Sequence, residues 1–328
     1  MGNVCITSTG CYLPKLKLSN RELIDRYNLD IDEAWIESRT GIKQRHWLAD
    51  DETTSDMVAA AATQILQRRN IDPQLLDRII LSTVTGDYPS PATATLVAQK
   101  LGTRCPAFDI SAACTGFLYG LDLGAACVRN GDQYVLVLSA DARSRYIDRS
   151  DRRGSVLFAD GAGGALLENS ELSGGLVSVH LGADGLRKEL GTWVPAGGTR
   201  HPLSHEALDA GLHYLHVDSL KDIFPIFIQY VEEATDQALT KAGLTWDDID
   251  LFIPHQGNAH LIRYIIEALN FPEEKTINYV ARHGNSSSAT LPIALDEAFT
   301  EGRIRPGSKV MFASVGAGNV FGAAIHQF

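Results

Sequence analysis

Residues 54–84 run TSDMVAAAATQILQRR (54–69), then a turn containing DPQLLD, then RIILSTV (78–84). Apolar side chains on one helical face predict a helix over 54–69. The short β-branched run after it predicts a buried strand over 78–84. The same order returns in the second half, where PIFIQYVEEATDQALTKA (225–242) leads through TWDDID to DLFIP (250–254). A chain that repeats one such unit builds its fold from two similar halves.

A second pair of segments follows each unit. SAACTGFLYGLDLGAA (111–126) and NSSSATLPIALDEAF (285–299) both read as small-residue turns entering helices, and YVLVLSA (134–140) and KVMFASV (309–315) read as the strands after them. Each half closes on a glycine-rich stretch, FADGAGGALLE (158–168) and VGAGNVFGAAI (315–325), expected to turn tightly before a last strand. Strands alternating with helices imply α/β halves with mainly parallel sheets covered on both faces, stacked as five layers around shared central helices. The division is expected near 169–174, giving halves 1–172 and 173–328. Residues 182–220 have no sustained period and are dense in Gly, Pro and His, so they read as an excursion over the core.

The 328 residues are 45% hydrophobic and 21% charged, which fits a globular chain and excludes disordered, collagen-like and coiled-coil classes. With 29 Lys and Arg against 40 Asp and Glu, the net charge of −11 argues against nucleic-acid or anionic-membrane binding. Cys5, Cys11, Cys105, Cys114 and Cys127 are odd in number and lack CxxC spacing, so a reducing compartment and no disulfide framework are expected. The first twenty residues have no secretory pattern, and the apolar C-terminal stretch from 311 carries three Gly and a His. A cytoplasmic location follows as the expectation.

Chemistry concentrates at the turns before the helices. Cys114, in Asp109-Ile-Ser-Ala-Ala-Cys-Thr-Gly, is placed at a helix start, where dipole and free N–H groups favour a thiolate. A small buried hydrophobe is the alternative, and the other four cysteines read that way. His255, in Phe-Ile-Pro-His-Gln-Gly-Asn, ends a strand at its C-terminal edge, where sites in open α/β sheets form. Asn285 enters the helix that is the repeat partner of the Cys114 helix, so an internal twofold brings it toward the same cavity; its alternative role is a helix cap.

The set Ala-Ala-Cys114-Thr-Gly, Pro-His255-Gln-Gly-Asn, Gly284-Asn285-Ser-Ser-Ser-Ala and Val-Gly316-Ala-Gly318 resembles the β-ketoacyl-acyl-carrier-protein synthase III family of the thiolase superfamily. The separations of 141 residues from Cys114 to His255 and 30 from His255 to Asn285 agree with it. The resemblance spans the whole chain, including Asp32-Glu-Ala-Trp35-Ile-Glu-Ser-Arg39 and Phe158-Ala-Asp-Gly-Ala-Gly. It implies a thiolase-like, five-layered αβαβα fold, usually homodimeric, and a Cys-His-Asn site for decarboxylative Claisen condensation. Cys114 would take an acyl group from acyl-CoA, with an oxyanion held by the backbone N–H groups of Cys114 and Ala317. His255 and Asn285 would hold the enolate left when a malonyl thioester, on acyl carrier protein or CoA, loses carbon dioxide. Trp35, Arg39 and Arg153 match positions that contact the CoA nucleotide, and Tyr88, Phe117 and the 182–220 excursion are expected to shape the acyl pocket. CoA thioesters are substrates, and no other cofactor is implied.

This chain departs from the family at several places. Asp222 follows Lys221 where the family carries a lysine for the carrier protein; His260 stands where an arginine is usual, with Arg263 one turn on; and Asn319 interrupts the terminal glycine turn. These losses of cation point to a divergent, secondary-metabolism member. His201, His205, His213 and His216 have metal-like spacing, but no convincing helix or cysteine completes a zinc set, so no metal is expected. Besides the condensing enzyme, two readings stay open: an acyltransferase that passes the acyl group from Cys114 to a non-malonyl nucleophile, and a noncatalytic subunit of a heteromeric synthase.

Overall fold

The computed structural model describes residues 3–170, 174–187, 191–217 and 219–328. Among the helices that precede the strand Arg78–Ser82 are α1 (Glu33–Thr40) and α2 (Thr54–Arg69). The start of α2 follows from its sequence: Thr53 Oγ1 accepts from the Asp56 N–H while the Asp56 carboxylate accepts from the Thr53 N–H, satisfying two otherwise orphan donors. It ends where Asn70 turns left-handed at φ +56°.

Five strands form the first sheet: β1 (Asn3–Tyr12), β2 (Arg78–Ser82), β3 (Ala107–Ile110), β4 (Tyr134–Ala142) and β5 (Asp160–Ser170), in the spatial order β1-β5-β4-β2-β3. The second sheet holds β6 (Gly175–Ala183), β7 (Leu251–Pro254), β8 (Lys309–Gly316) and β9 (Val320–Gln327), in the order β6-β9-β8-β7. Strand for strand, β1 corresponds to β6, β5 to β9, β4 to β8 and β2 to β7. At the place of β3 the second half has only a parallel bridge from Thr276 to Phe252. The expected boundary between 172 and 173 lies outside the described residues.

The sheets are mixed, which corrects the expectation of mainly parallel pairing. Only the strand pairs β2 with β3, β2 with β4 and β7 with β8 run parallel; toward the β1 edge of the first sheet and the β6 edge of the second the strands pair antiparallel. The reason lies in the closing strands, which return without a crossover helix. In the second half the return is the expected glycine hairpin, β8 to β9 through residues 317–319. In the first half no hairpin forms, because β5 runs straight through Gly161, Gly163 and Gly164. Those glycines serve approach rather than turning: a β-carbon on Gly163 would stand 3.1 Å from the Ile293 backbone nitrogen.

Ile293 belongs to α6 (Thr290–Thr300), which lies with α3 (Gly116–Arg129) between the two sheets. One core joins Ile80, Phe117, Leu121 and Val137 of the first half to Leu291, Leu295, Phe312 and Ala324 of the second. Each of the Ile, Leu, Val and Phe side chains among them contributes about 1.5–3 kcal/mol by its burial. Outside the first sheet, α2 packs Met57 and Ile65 on Leu136 and Leu166. Outside the second lie α4 (Leu220–Ala242) and α5 (Ala259–Ala268), over Phe252, Met311 and Ile325. The result is five layers, αβαβα. Helix α4 starts ahead of the expected position because Pro225 falls in its early turns, where it removes few hydrogen bonds.

The 182–220 excursion carries more order than its sequence implied, with a helix at His205–Asp209 and a ribbon pairing Thr192–Trp193 with His216–Val217. Among the described residues, no helix is long and apolar enough to cross a membrane.

Candidate active site

Two tight helical turns face each other across the middle layer, Ala113–Thr115 leading into α3 and Ser287–Ala289 leading into α6. Each holds a non-glycine residue at positive φ, Ala113 at +44° and Ser287 at +56°. Such a conformation costs on the order of 1 kcal/mol, and the internal repeat imposes it twice beside one pocket. Cys114 follows Ala113; its repeat counterpart, Ser288, is tied to Asp141, whose Oδ2 accepts from the Ser288 N–H (3.1 Å) and hydroxyl (2.8 Å). The Asp141 Oδ1 accepts from the Val84 N–H and the Thr85 hydroxyl, both at 3.0 Å.

Cys114, His255, Asn285, Gly316 and Ala317 line one small cavity of about 70 Å³, closed by Phe158, Phe224 and Phe227. The three expected reactive side chains therefore come together. A β-carbon built on Gly257 would lie 2.9 Å from His255 Nε2 and 3.6 Å from Asn285 Nδ2, so both nitrogens converge on the same space.

His255 follows the last residue of β7 and is held there by its backbone N–H, which donates to the Ala313 carbonyl at 2.8 Å. Its Nδ1 lies 2.6 Å from Thr290 Oγ1. Burial, with the Arg143 charge adding to it, pushes its pKa down to about 4, so the imidazole is neutral at pH 7. Asn285 is fixed on both sides: its N–H donates to the Leu157 carbonyl (3.1 Å), and its carbonyl accepts from the Ala159 N–H (2.9 Å). Its Oδ1 accepts from the Ser287 N–H at 2.8 Å. The cap-like role and the pocket role thus coexist, because Oδ1 serves the turn and leaves Nδ2 for the cavity.

The thiol behaves differently from the sequence expectation. Burial pushes the Cys114 pKa up, outweighing the Arg143 charge and the Ser287 hydrogen bond that pull it down. The helix-start position therefore leaves a resting thiol rather than a thiolate, and a proton must leave as the substrate arrives. Sγ lies 3.5 Å from Ser287 Oγ, which accepts from Arg143 Nη2 at 2.8 Å. The β8–β9 hairpin is laced to this turn: Ser314 Oγ donates to the Cys114 carbonyl (2.9 Å), and Thr115 Oγ1 donates to the Val320 carbonyl (3.1 Å). Asn319 occupies the hairpin at φ +57°, one of the few non-glycine types that tolerates it.

A second cavity, a cleft of about 1050 Å³, adjoins the first and shares Leu157, Val217 and Phe224 with it. Trp35 and Arg39, from α1, line it. The Arg39 guanidinium carbon is 5.4 Å from the Trp35 ring centroid, and that of Arg152, not Arg153, is 5.1 Å away. Arg153 lines the cleft too but is paired with Asp151 at 2.8 Å. Adjacent residues on a helical turn point about 100° apart, so an arginine doublet leaves the stacking partner undecided in sequence. Arg263 and His260 face the cleft and hydrogen-bond at 3.1 Å, while Asp222 is exposed.

Two expected acyl-pocket residues lie elsewhere. Phe117 is fully buried in the shared core, on the inward face of α3, and Tyr88 is 60% exposed on a loop; neither lines the Cys114 cavity. The histidines of the excursion also go separate ways: His213 packs on Tyr214, and His216 on Trp193. Among the described residues, no three His, Cys, Asp or Glu side chains are placed to hold a metal ion. Sequence reasoning missed Arg143, Ser287 and Thr290. Arg143 follows the end of β4, and the strand-end rule that selected His255 applies to it equally.

Residues 108–185 match the family described as 3-oxoacyl-[acyl-carrier-protein] synthase III, and residues 239–328 match its C-terminal family. The chain is 40% identical to the beta-ketoacyl-[acyl-carrier-protein] synthase III of Symbiobacterium thermophilum, over 98% of this chain and 96% of that one. It is 38% identical to the protein of that name from Xanthomonas campestris, over 98% of both chains. The solved 3-oxoacyl-[acyl-carrier-protein] synthase III of Aquifex aeolicus matches at a TM-score of 0.89 and 34% identity, covering both chains completely. The priming beta-ketosynthase from the R1128 polyketide biosynthetic pathway matches at 0.90 and 30%, covering 100% of this chain and 96% of that one.

Proposed function

The chain belongs to the 3-oxoacyl-[acyl-carrier-protein] synthase III family, a family of acyl-transferring condensing enzymes, and from that premise we propose the roles of its residues. The reaction is decarboxylative Claisen condensation, in fatty acid or related polyketide biosynthesis. Cys114 Sγ attacks the carbonyl carbon of an acyl-CoA; the bond to the CoA sulfur breaks, and the Cys114 proton ends on the departing CoA thiol. The N–H groups of Cys114 and Ala317 hold the oxyanion, and Trp35, Arg39 and Arg152 hold the nucleotide by stacking and charge.

A malonyl thioester, on acyl carrier protein or CoA, then enters the vacated cleft. His255 Nε2 and Asn285 Nδ2 donate to its thioester carbonyl as carbon dioxide leaves; the resulting enolate carbon attacks the acyl carbon on Cys114, the bond from that carbon to Sγ breaks, and the released Cys114 thiolate takes up a proton from solvent to restore the thiol. Two neutral donors suit an enolate; a carboxylate there would repel it. For Nε2 to donate, Nδ1 must accept, so the single Thr290 hydroxyl proton goes to Nδ1 (2.6 Å) rather than to the Ser287 carbonyl (3.0 Å). No further cofactor enters any step. The convergence of Sγ, Nε2 and Nδ2 on one cavity under a cation-lined cleft carries this reading.

A homodimer is part of the proposal, supported by the unpaired edge strand β3 with its half-buried Phe108 and Ile110, which a second copy of β3 would cover. The test separates the two half-reactions. Asn285→Ala should keep acylation of Cys114, read by intact mass, and lose release of labelled carbon dioxide from malonyl thioester by roughly 10²–10³-fold. A wild type that acylates but never decarboxylates malonyl thioesters would replace condensation with simple acyl transfer.

A further inference from the structure

Arg143 is 5% exposed and, among the described residues, has no acid to pair with. Nη2 donates to Ser287 Oγ at 2.8 Å, Nε has no partner, and among the described residues no carboxylate lies within 4 Å of the guanidinium. The acid nearest in sequence, Asp141, spends its oxygens on Val84, Thr85 and Ser288. Taking a guanidinium out of water costs several kcal/mol, and one hydroxyl does not offset that. The resting Cys114 thiol carries no charge to balance it.

The charge also lies close to the nucleophile, just behind the residues that line its cavity. One hydroxyl, Ser287 Oγ, separates Nη2 from Sγ, by 2.8 and 3.5 Å. Phe158, whose ring centroid is 5.8 Å from Cζ, is a wall of the Cys114 cavity. Resting on the reading that Cys114 carries the acyl group, we propose that Arg143 recognises a carboxylate at the far end of that group. The priming substrate is then a short ω-carboxyacyl-CoA rather than a plain alkanoyl-CoA. Acylation itself is unchanged: the carbonyl-to-CoA sulfur bond breaks, the Cys114 thioester forms, the thiol proton leaves on CoA, and the distal carboxylate stays intact. The malonyl carboxylate is the wrong partner, since a cation gripping the group that must depart stabilises the ground state and slows its loss.

The test is single-turnover acylation followed by intact mass, with succinyl-CoA and glutaryl-CoA set against butyryl-CoA and pentanoyl-CoA of matched chain length. The wild type should react at least about tenfold faster with the carboxylated member of each pair. In Arg143→Leu the preference should collapse or invert, and in Arg143→Lys it should persist in weakened form. A wild type that takes the plain acyl groups equally well or better overturns the proposal without any variant. An Arg143→Leu protein that slows equally with both classes also overturns it, making Arg143 a support for the thiol. Failure of the wild type to be acylated by any of the four strikes the reading of Cys114 first, and the proposal falls with it.

Discussion

The Gly316 backbone lies so close to that of Cys114 that a β-carbon at 316 would stand 2.8 Å from the Cys114 amide nitrogen. The hairpin bearing the Ala317 N–H is thereby pressed onto the turn bearing the nucleophile. Gly316→Ala should force the two apart and spoil the pair of N–H groups. Single-turnover acylation should fall by at least about 10²-fold while thermal stability changes little by comparison. Normal acylation would remove Ala317 from the oxyanion site.

In the proposed mechanism the Thr290 hydroxyl donates to His255 Nδ1 and so keeps the imidazole proton on Nε2. Thr290→Val keeps the shape but removes the hydroxyl, so Nε2 loses its fixed donor role. Carbon dioxide release should drop by about one to two orders of magnitude with acylation largely preserved, and Thr290→Ser should restore it. Equal losses in both half-reactions would count against this role.

The pH profile follows from His255. With its pKa near 4, the ring stays neutral from pH 8 down to about 5, so decarboxylation should show no loss near the usual histidine value of about 6.5. Removing the Arg143 cation raises that pKa. In Arg143→Leu the acid-side loss should therefore begin at higher pH than in the wild type. An unchanged or lower onset contradicts the assignment.

Trp35→Ala and Arg152→Ala should raise KM for acyl-CoA several-fold but leave an acyl-pantetheine thioester, which has no adenine, nearly unaffected. Arg153→Ala should do less, because its charge is already shared with Asp151. Steady-state KM values for the two thioesters decide it.

Strand ends, helix starts and the repeat pointed Cys114, His255 and Asn285 toward one cavity but left buried, structural and capping roles open for them, and the resemblance to the family chose between the two. The 54–69 helix was legible through the apolar stripe along one of its faces. The β5 glycines were not, since close packing and turning demand the same residue. Phe117 was misplaced because position on an apolar helix does not tell the core face from the cavity face. Thiol burial and the unpaired Arg143 arise from the packing of segments distant in sequence, which no local pattern encodes.

Asp141 gives the last consequence. It belongs to the first half, yet both groups that it takes from the second, the Ser288 N–H and hydroxyl, lie three residues beyond Asn285. One carboxylate therefore ties the segment that follows a first-half strand, through Val84 and Thr85, to the second-half turn that follows Asn285. The repeat keeps a second copy of the nucleophile's turn not as a spare reactive centre but as an anchor. Reactive geometry in this enzyme is a matter of registration between halves, and drift at Asp141 would detune chemistry at residues it never touches.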